Sequence, residues 1–177
     1  MNSMRQAAIY LVTILTIINV AMAAVPLIPN GYYRIFTGNI HNPSSNRYFT
    51  AKLDARAGSV SLLPESSSPL QVWRLRNHAN GQVSLELRAK KKYYLSEGRS
   101  GALSGAYVGV TKSQQKWNIT KFAGGPFTKY ILAHPRRVFN KTLLVSESPD
   151  SVDPKYVAFL NEDYPEALQA WKFASAD

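Results

Sequence analysis

The side chains best suited to acid–base or metal chemistry in this sequence are three histidines and a group of C-terminal carboxylates. His41, His78 and His134 are far apart in the chain and do not have metal-ligand spacing. Four carboxylates stand close enough in sequence to supply a glycosidic acid–base pair, namely Asp150, Asp153, Glu162 and Asp163. They lie in polar segments punctuated by proline, which is typical of solvated loops. We therefore expect no enzyme activity, no metal centre and no cofactor.

Two further kinds of chemistry are excluded by composition and spacing. The chain contains no cysteine, which removes thiol catalysis, cysteine-ligated metals and disulfides. Gly101, Gly105 and Gly109 recur every fourth residue, but no helix is predicted after them, so they do not form a phosphate-binding loop. The sequence favours a protein that binds rather than catalyses.

The elements that must position any binding residue are marked by a signature that occurs three times. Gln71-Val72-Trp73, Gln115-Lys116-Trp117 and Gln169-Ala170-Trp171 contain all three tryptophans of the chain. Recurrence at this spacing indicates repeated supersecondary units that bury a core only against one another. The tryptophan supplies apolar area, and we expect the glutamine amide to hydrogen-bond neighbouring backbone, because it cannot stay unpaired in an apolar setting. We place the three units at about 31–77, 78–122 and 123–173.

Each unit contains four short runs rich in β-branched and aromatic residues, bounded by turn residues, which predict strands. No amphipathic helix of useful length is found, and one helical turn is predicted at 163–167, where Pro165 suits a first turn. The predicted strands are 33–36, 48–51, 59–62 and 71–75; 83–87, 93–96, 107–110 and 115–119; and 129–132, 143–146, 156–159 and 169–173. Twelve strands in three units predict an all-β protein.

The N-terminus has the pattern of a secretory signal peptide. Arg5 precedes an apolar stretch over 7–20, and Ala21-Met22-Ala23 provides a small-residue cleavage site. We expect residues 1–23 to be removed and 24–177 to form one secreted domain, a monomer without a membrane segment. An uncleaved anchor is the alternative, but the stretch is short for a spanning helix.

The chain carries a formal net charge of +10, distributed unevenly. The middle unit is the most basic part and includes Lys90-Lys91-Lys92. This favours attraction to an anionic polysaccharide or an acidic partner, and a solvated surface is the alternative. Nucleic acid is not expected as a partner, because the basic residues are scattered among strands of a secreted protein.

With its three Gln-x-Trp signatures, each closing a four-strand unit, the chain resembles the β-trefoil families that include ricin-B-like lectins and the fungal trefoil (cospin-like) serine protease inhibitors. The resemblance covers about residues 31–173. It implies six strands closing a barrel and six forming a cap of three hairpins. The segments 106–110, 115–119 and 171–173 look most like those of the inhibitors.

The lectin resemblance implies a sugar pocket built from an aspartate early in the unit, a stacking aromatic and a nearby amide. Asp54 is the only aspartate at that place, and the segment 59–64 after it has no aromatic. The other two units have Glu97 and Glu147 there instead. The pocket is therefore incomplete within each unit, which made inhibition the leading hypothesis and sugar binding the alternative.

The inhibitor resemblance implies a rigid loop that fills the specificity pocket of a serine protease, where a trypsin-like enzyme requires Arg or Lys. Arg56 is the first candidate, because Ala55 and Ala57 flank it and leave it the only long side chain of its loop. Arg136 and Arg137, predicted to lie in a loop, are the second, and Lys90-Lys91-Lys92 the third. Each is equally explained as a solvated basic residue. The loop 37–46 is on the side that related fungal trefoils use against cysteine proteases.

Two sequons, Asn118-Ile119-Thr120 and Asn140-Lys141-Thr142, are candidate acceptors of N-linked glycans. Because Trp117 is predicted to point inward, Asn118 should point outward.

Overall fold

The computed structural model describes residues 26–38, 42–53, 58–98, 107–122, 128–138, 140–149, 155–165 and 168–176. The predicted signal peptide, 1–23, lies outside these residues. The helices among them are the short 3-10 helices Pro43–Ser45 and Pro69–Gln71. The strands are β1 (Gly31–Phe36), β2 (Tyr48–Lys52), β3 (Gly58–Leu63), β4 (Trp73–Asn77), β5 (Val83–Leu87), β6 (Tyr94–Glu97), β7 (Val108–Thr111), β8 (Asn118–Phe122), β9 (Lys129–Val138), β10 (Lys141–Glu147), β11 (Lys155–Asn161) and β12 (Lys172–Ser175).

Six of these strands form a barrel. Within each unit the first strand meets the segment of the Gln-x-Trp signature: β1 pairs with β4, Val83 of β5 pairs with Trp117, and Tyr130 of β9 pairs with Trp171. Between units, β4 pairs with β5, β8 with β9, and β12 with β1. The last pairing joins the first strand to the last strand and closes the ring.

The other six strands form three hairpins, β2–β3, β6–β7 and β10–β11, which we call the cap hairpins. Their second strands meet one another, because β3 pairs with both β7 and β11 and Tyr107 pairs with Ala158 of β11. A six-strand barrel closed by three such hairpins is a β-trefoil. The predicted fold class, twelve strands in three four-strand units, is confirmed.

The three tryptophans occupy equivalent places in the core. All three side chains are buried, and Trp117 stacks on Phe159 with 5.8 Å between ring centroids. Each indole nitrogen donates a hydrogen bond to a backbone carbonyl of the second strand of its own unit: Trp73 to Phe49 at 3.2 Å, Trp117 to Leu95 at 3.2 Å and Trp171 to Val145 at 2.7 Å. The signature therefore fixes each cap hairpin to the barrel.

The three glutamines do not share one role. Gln71 is buried and donates to Pro64 O at 2.8 Å and to Thr50 Oγ1 at 2.9 Å, and Gln169 is buried and donates to Asn161 O at 2.8 Å. These two match the predicted backbone contact. Gln115 is half-buried and its Nε2 donates to the adjacent Lys116 O at 3.1 Å, so it also contacts neighbouring backbone but does not hold the loop that precedes its strand.

The length of the preceding loop explains the difference. Gln71 and Gln169 each follow the end of a cap strand by eight residues, whereas Gln115 follows Thr111 by four. The longer loops contain a helical turn, seen in the bond from Val72 N to Pro69 O at 3.3 Å and from Leu168 N to Pro165 O at 3.0 Å. The shorter loop has no chain segment for the Gln115 amide to hold. The helical turn predicted near Pro165 is thus present in part, while residues 166 and 167 lie outside the described residues.

Strand β9 is longer than predicted and includes Arg136 and Arg137. They were predicted to lie in a loop and instead lie within β9, where Arg137 pairs with Thr142 of β10. Pro135 is accommodated because the pairing register shifts opposite it, and proline has no N–H to donate there. The strand ends at Val138, and the chain reverses at Asn140, whose φ of 59° lies in the left-handed region. The loop assignment is therefore wrong.

The described part of the chain contains no helix long and apolar enough to cross a membrane.

Candidate functional site

The cap places two tyrosines and a lysine together at the surface. The rings of Tyr107 and Tyr156 are 5.0 Å apart between centroids and tilted by 47°, and Lys52 Nζ lies 5.3 Å from the Tyr156 centroid. Tyr107 is 50% exposed, the most exposed large hydrophobic residue in the described part of the chain. We call Lys52, Tyr107 and Tyr156 the tyrosine cluster.

The three-fold arrangement brings these residues together from three different units. Tyr107 precedes Val108, which pairs with Glu97, and Tyr156 precedes Val157, which pairs with Glu147. The two tyrosines therefore hold equivalent positions in the second and third units. Ser59 holds that position in the first unit, because it precedes Val60, the partner of Ala51. Lys52 pairs with Ser59, so its side chain completes the cluster from the unit that has no ring.

Close strand packing fixes the backbone beneath Tyr107. A Cβ added to Gly98 would lie 2.7 Å from Tyr107 O, and one added to Gly109 would lie 2.9 Å from Gly98 Cα. Both distances are too short for a side chain, so glycine is required at these two places for β6 and β7 to approach. The Tyr107 ring therefore projects from a rigid support rather than from a mobile loop.

Among the described residues, one ion pair lies beside the cluster. The Lys155 ammonium is bonded to the Glu147 carboxylate, which leaves the Lys52 ammonium over the Tyr156 ring. An exposed ring offers an apolar face on which another flat, partly apolar surface can stack, and an ammonium offers three hydrogen-bond donors. The described residues include no group of His, Asp or Glu able to hold a metal ion. The cluster can bind a neutral polar ligand that has one apolar face.

The buried histidine His134 has a structural role. Its ring packs edge-on against Trp117 and Phe159, its Nδ1 accepts from Arg136 N at 3.1 Å, and its Nε2 is bonded to Glu97 Oε1. The pair joins β6 of the second unit to β9 of the third.

The other predicted site residues are dispersed over the molecule. Asp54 and Arg56 lie outside the described residues, although Asp54 follows the tyrosine cluster residue Lys52 by two positions. Arg136 and Arg137 are exposed on β9, and Arg137 Nη2 lies 3.7 Å from Glu162 Oε1. The loop 37–46 is described at both ends and contains the helix Pro43–Ser45.

Both sequon asparagines are exposed, which confirms the outward position predicted for Asn118. Asn118 lies on β8 next to the buried Trp117, and its Oδ1 accepts from Gln82 Nε2 at 2.9 Å. Asn140 lies at the turn between β9 and β10. Glycosylation of either site stays a prediction.

The tyrosine cluster was not predicted from the sequence, because the stacking ring was sought only within the unit that contains Asp54. The rings instead come from the second and third units and meet Lys52 of the first. The sequence did contain a signal for the cluster. Tyr107 and Tyr156 both begin the third strand predicted for their unit, at the position that Ser59 occupies in the first unit. When the three units fold around one axis, residues at these equivalent positions come into contact.

No protein-family model matches this sequence. No curated protein matches it either.

Solved structures do match it. The Macrolepiota procera ricin B-like lectin in complex with lactose superposes with a TM-score of 0.64 at 16% identity, over 85% of this chain and 99% of that one. The Rhizoctonia solani agglutinin superposes with a TM-score of 0.66 at 15% identity, over 86% and 99%. A mosquitocidal holotoxin matches with a TM-score of 0.66 at 17% identity, over 85% of this chain but only 18% of the toxin. The chain therefore has the β-trefoil fold that ricin B-like lectins also have.

Proposed function

We propose that this protein is a secreted, monomeric, non-enzymatic β-trefoil that binds carbohydrate through the tyrosine cluster. The observation that carries the proposal is the exposed, rigidly supported Tyr107 ring beside Tyr156 and the Lys52 ammonium. A sugar ring presents an apolar C–H face to an aromatic side chain and hydroxyl groups to nearby donors. Asp54, two residues beyond Lys52, would supply the carboxylate acceptor for those hydroxyls.

The similarity to the two fungal lectin and agglutinin structures supports this proposal at the level of the fold, since each of them is covered over 99% of its length. Nothing comparable supports protease inhibition, which was the leading hypothesis from the sequence. Arg137 is paired with Glu162 in a strand rather than held at a loop tip, and Arg56 lies outside the described residues. Sugar binding is accordingly the better supported of the two.

The first test is a glycan array probed with purified 24–177, followed by calorimetric titration of the best ligand and of lactose. We expect saturable binding that weakens at least about tenfold in Tyr107→Ala and in Tyr156→Ala, which corresponds to about 1.4 kcal/mol. Tyr164→Ala is the matched control, because Tyr164 is also exposed, at 41%, but lies in the turn after β11. Its affinity should stay within about twofold of the wild type.

The same preparations should be mixed with trypsin, a subtilisin and papain. Saturable inhibition of any of these proteases together with a blank glycan array would overturn the proposal in favour of the inhibitor hypothesis. Equal loss of glycan binding in all three tyrosine variants would place the sugar elsewhere. Thermal unfolding of each variant checks that the fold is retained.

A further inference from the structure

We propose that the protein has a second binding surface, separate from the tyrosine cluster, which takes an acidic polysaccharide. This surface is the outer face of β1, β4 and β5 together with the turn after β5. Its cations are Arg74, Arg76, Arg88, Lys90, Lys91 and Lys92, which we call the basic face.

Strand register places these cations on one side of the barrel wall. Tyr32 of β1 pairs with Arg74 of β4, and Arg74 pairs with Glu86 of β5. Paired residues on adjacent strands project to the same side, about 4.8 Å apart. Arg76 and Arg88 lie two residues beyond Arg74 and Glu86, so they share that side. Leu75 and Leu87 between them point into the core.

Two of the guanidinium groups are held in place before any ligand arrives. Arg88 lies over the Tyr32 ring with 5.0 Å to the centroid, and Arg74 lies 6.0 Å from the same centroid. Arg88 Nη1 also donates to Ala176 O at 3.3 Å. A stacked guanidinium keeps the N–H groups at its edge available for a carboxylate or a sulfate. Less side-chain entropy is then lost on binding than for a free arginine.

Among the described residues, one carboxylate, Glu86, lies on the basic face beside its six cations. Glu86 is only 8% exposed, and its oxygens are already engaged with Lys92 N at 2.8 Å and with Arg76 Nη2 at 3.6 Å. The remaining carboxylates of the described residues all have partners elsewhere. These pairs are Glu65 with Tyr48, Glu97 with His134, Glu147 with Lys155, Glu162 with Arg137, and Asp163 with Lys141.

The three lysines extend the face along an ordered turn. Lys90 N donates to Leu87 O at 3.3 Å and Tyr93 N donates to Lys90 O at 3.3 Å. Lys90 Nζ lies 4.2 Å from the Tyr93 ring centroid, and Lys91 and Lys92 are exposed. Closely spaced like charges on a fixed backbone raise the local positive potential and attract a polyanion.

The pKa of His78, which directly follows β4, is affected by one cation of the basic face, Arg76. Its pKa is lowered, first by burial and then by the charges of Lys116 and Arg76.

The aromatic residues of this face favour a polysaccharide over a nucleic acid. Sequence-tolerant binding of single strands requires exposed rings on which bases stack. Here Tyr32 and Tyr93 each have a cation of the protein itself over the ring. What remains available is a set of guanidinium and ammonium donors, which fits carboxylate or sulfate groups repeated along a polar chain.

The test measures binding of polygalacturonate, heparin, neutral dextran and single-stranded DNA at about 0.15 M salt, a concentration that screens charges beyond about 8 Å. We expect at least one acidic polysaccharide to bind and dextran not to bind. Arg74→Gln/Arg88→Gln should weaken that binding at least tenfold. Lys112→Gln/Lys121→Gln makes the same change in net charge with two exposed lysines on or beside other strands, and should weaken it less than threefold.

A second variant, Lys90→Gln/Lys91→Gln, leaves the stacked arginines in place and should also weaken binding more than the control does. Equal weakening in all three double variants would overturn the proposal, since net charge alone would then account for it. It would also be overturned if neither acidic polysaccharide bound, or if DNA bound more tightly with the same dependence on Arg74 and Arg88. Binding of a neutral glycan at the tyrosine cluster should be unchanged in Arg74→Gln/Arg88→Gln, so the two proposals can fail separately.

Discussion

Replacing Trp117 with alanine is expected to lower the free energy of unfolding by about 4 kcal/mol, because large-to-small changes at fully buried tryptophans typically cost 3–5 kcal/mol. The indole stacks on Phe159 and meets the ring of His134 edge-on. Its removal leaves a cavity between the second and third units and leaves Leu95 O without its donor. For a domain of this size the melting temperature should fall by roughly 8–16 °C, measured by circular dichroism.

Trp73→Ala and Trp171→Ala should have effects of similar size, since each indole makes the equivalent hydrogen bond in its own unit. Lys116→Ala is the local control, because Lys116 is exposed, and should change stability by less than about 0.5 kcal/mol. An effect of Trp117→Ala well below those of the other two tryptophans would contradict the conclusion that all three units are held in the same way.

Gln71→Ala is expected to lower the free energy of unfolding by about 3 kcal/mol, the largest effect after those of the three tryptophans. The Gln71 amide donates to Thr50 Oγ1 and Pro64 O and accepts from Ser66 N at 2.8 Å. Removing it breaks three hydrogen bonds of a side chain that is only 1% exposed, and each such bond contributes about 1 kcal/mol. Denaturant unfolding measures the difference.

The three glutamine variants should rank in a definite order. Gln169→Ala removes one hydrogen bond of a buried side chain and should lower the free energy of unfolding by about 1–2 kcal/mol. Gln115→Ala removes a contact of a half-buried side chain with its neighbour and should cost less than about 0.5 kcal/mol. Equal costs at Gln71 and Gln115 would show that the signature acts uniformly, against the contacts described above.

The fold could be predicted from the sequence because its determinants are local and repeated. Strand patterns and the three Gln-x-Trp signatures are short-range features, and each of the twelve strands overlaps the range predicted for it. The strand predicted at 129–132 is shorter than β9, which continues through Pro135. A register shift opposite Pro135 accommodates it, and such a shift depends on the partner strand, which no single-segment pattern reveals.

The candidate site was less predictable because it is assembled across units. A sugar pocket sought within one unit is incomplete here, since Asp54 has no ring after it in sequence. The rings of Tyr107 and Tyr156 become neighbours of Lys52 only when β3, β7 and β11 meet around the axis. The three signature tryptophans, which identify the fold, are buried and serve the scaffold. The exposed positions at equivalent places on the cap strands carry the proposed binding site.

Carbohydrate binding at the tyrosine cluster is tested most directly by nuclear magnetic resonance of protein labelled with ¹³C in its tyrosine rings. The best glycan from the array is titrated into the wild type, with ring signals assigned from single Tyr→Phe variants. We predict that the Tyr107 and Tyr156 ring signals shift together and saturate at the calorimetric dissociation constant, while Tyr164 does not move. Saturable glycan binding that leaves the Tyr107 and Tyr156 signals unchanged would contradict the proposed site.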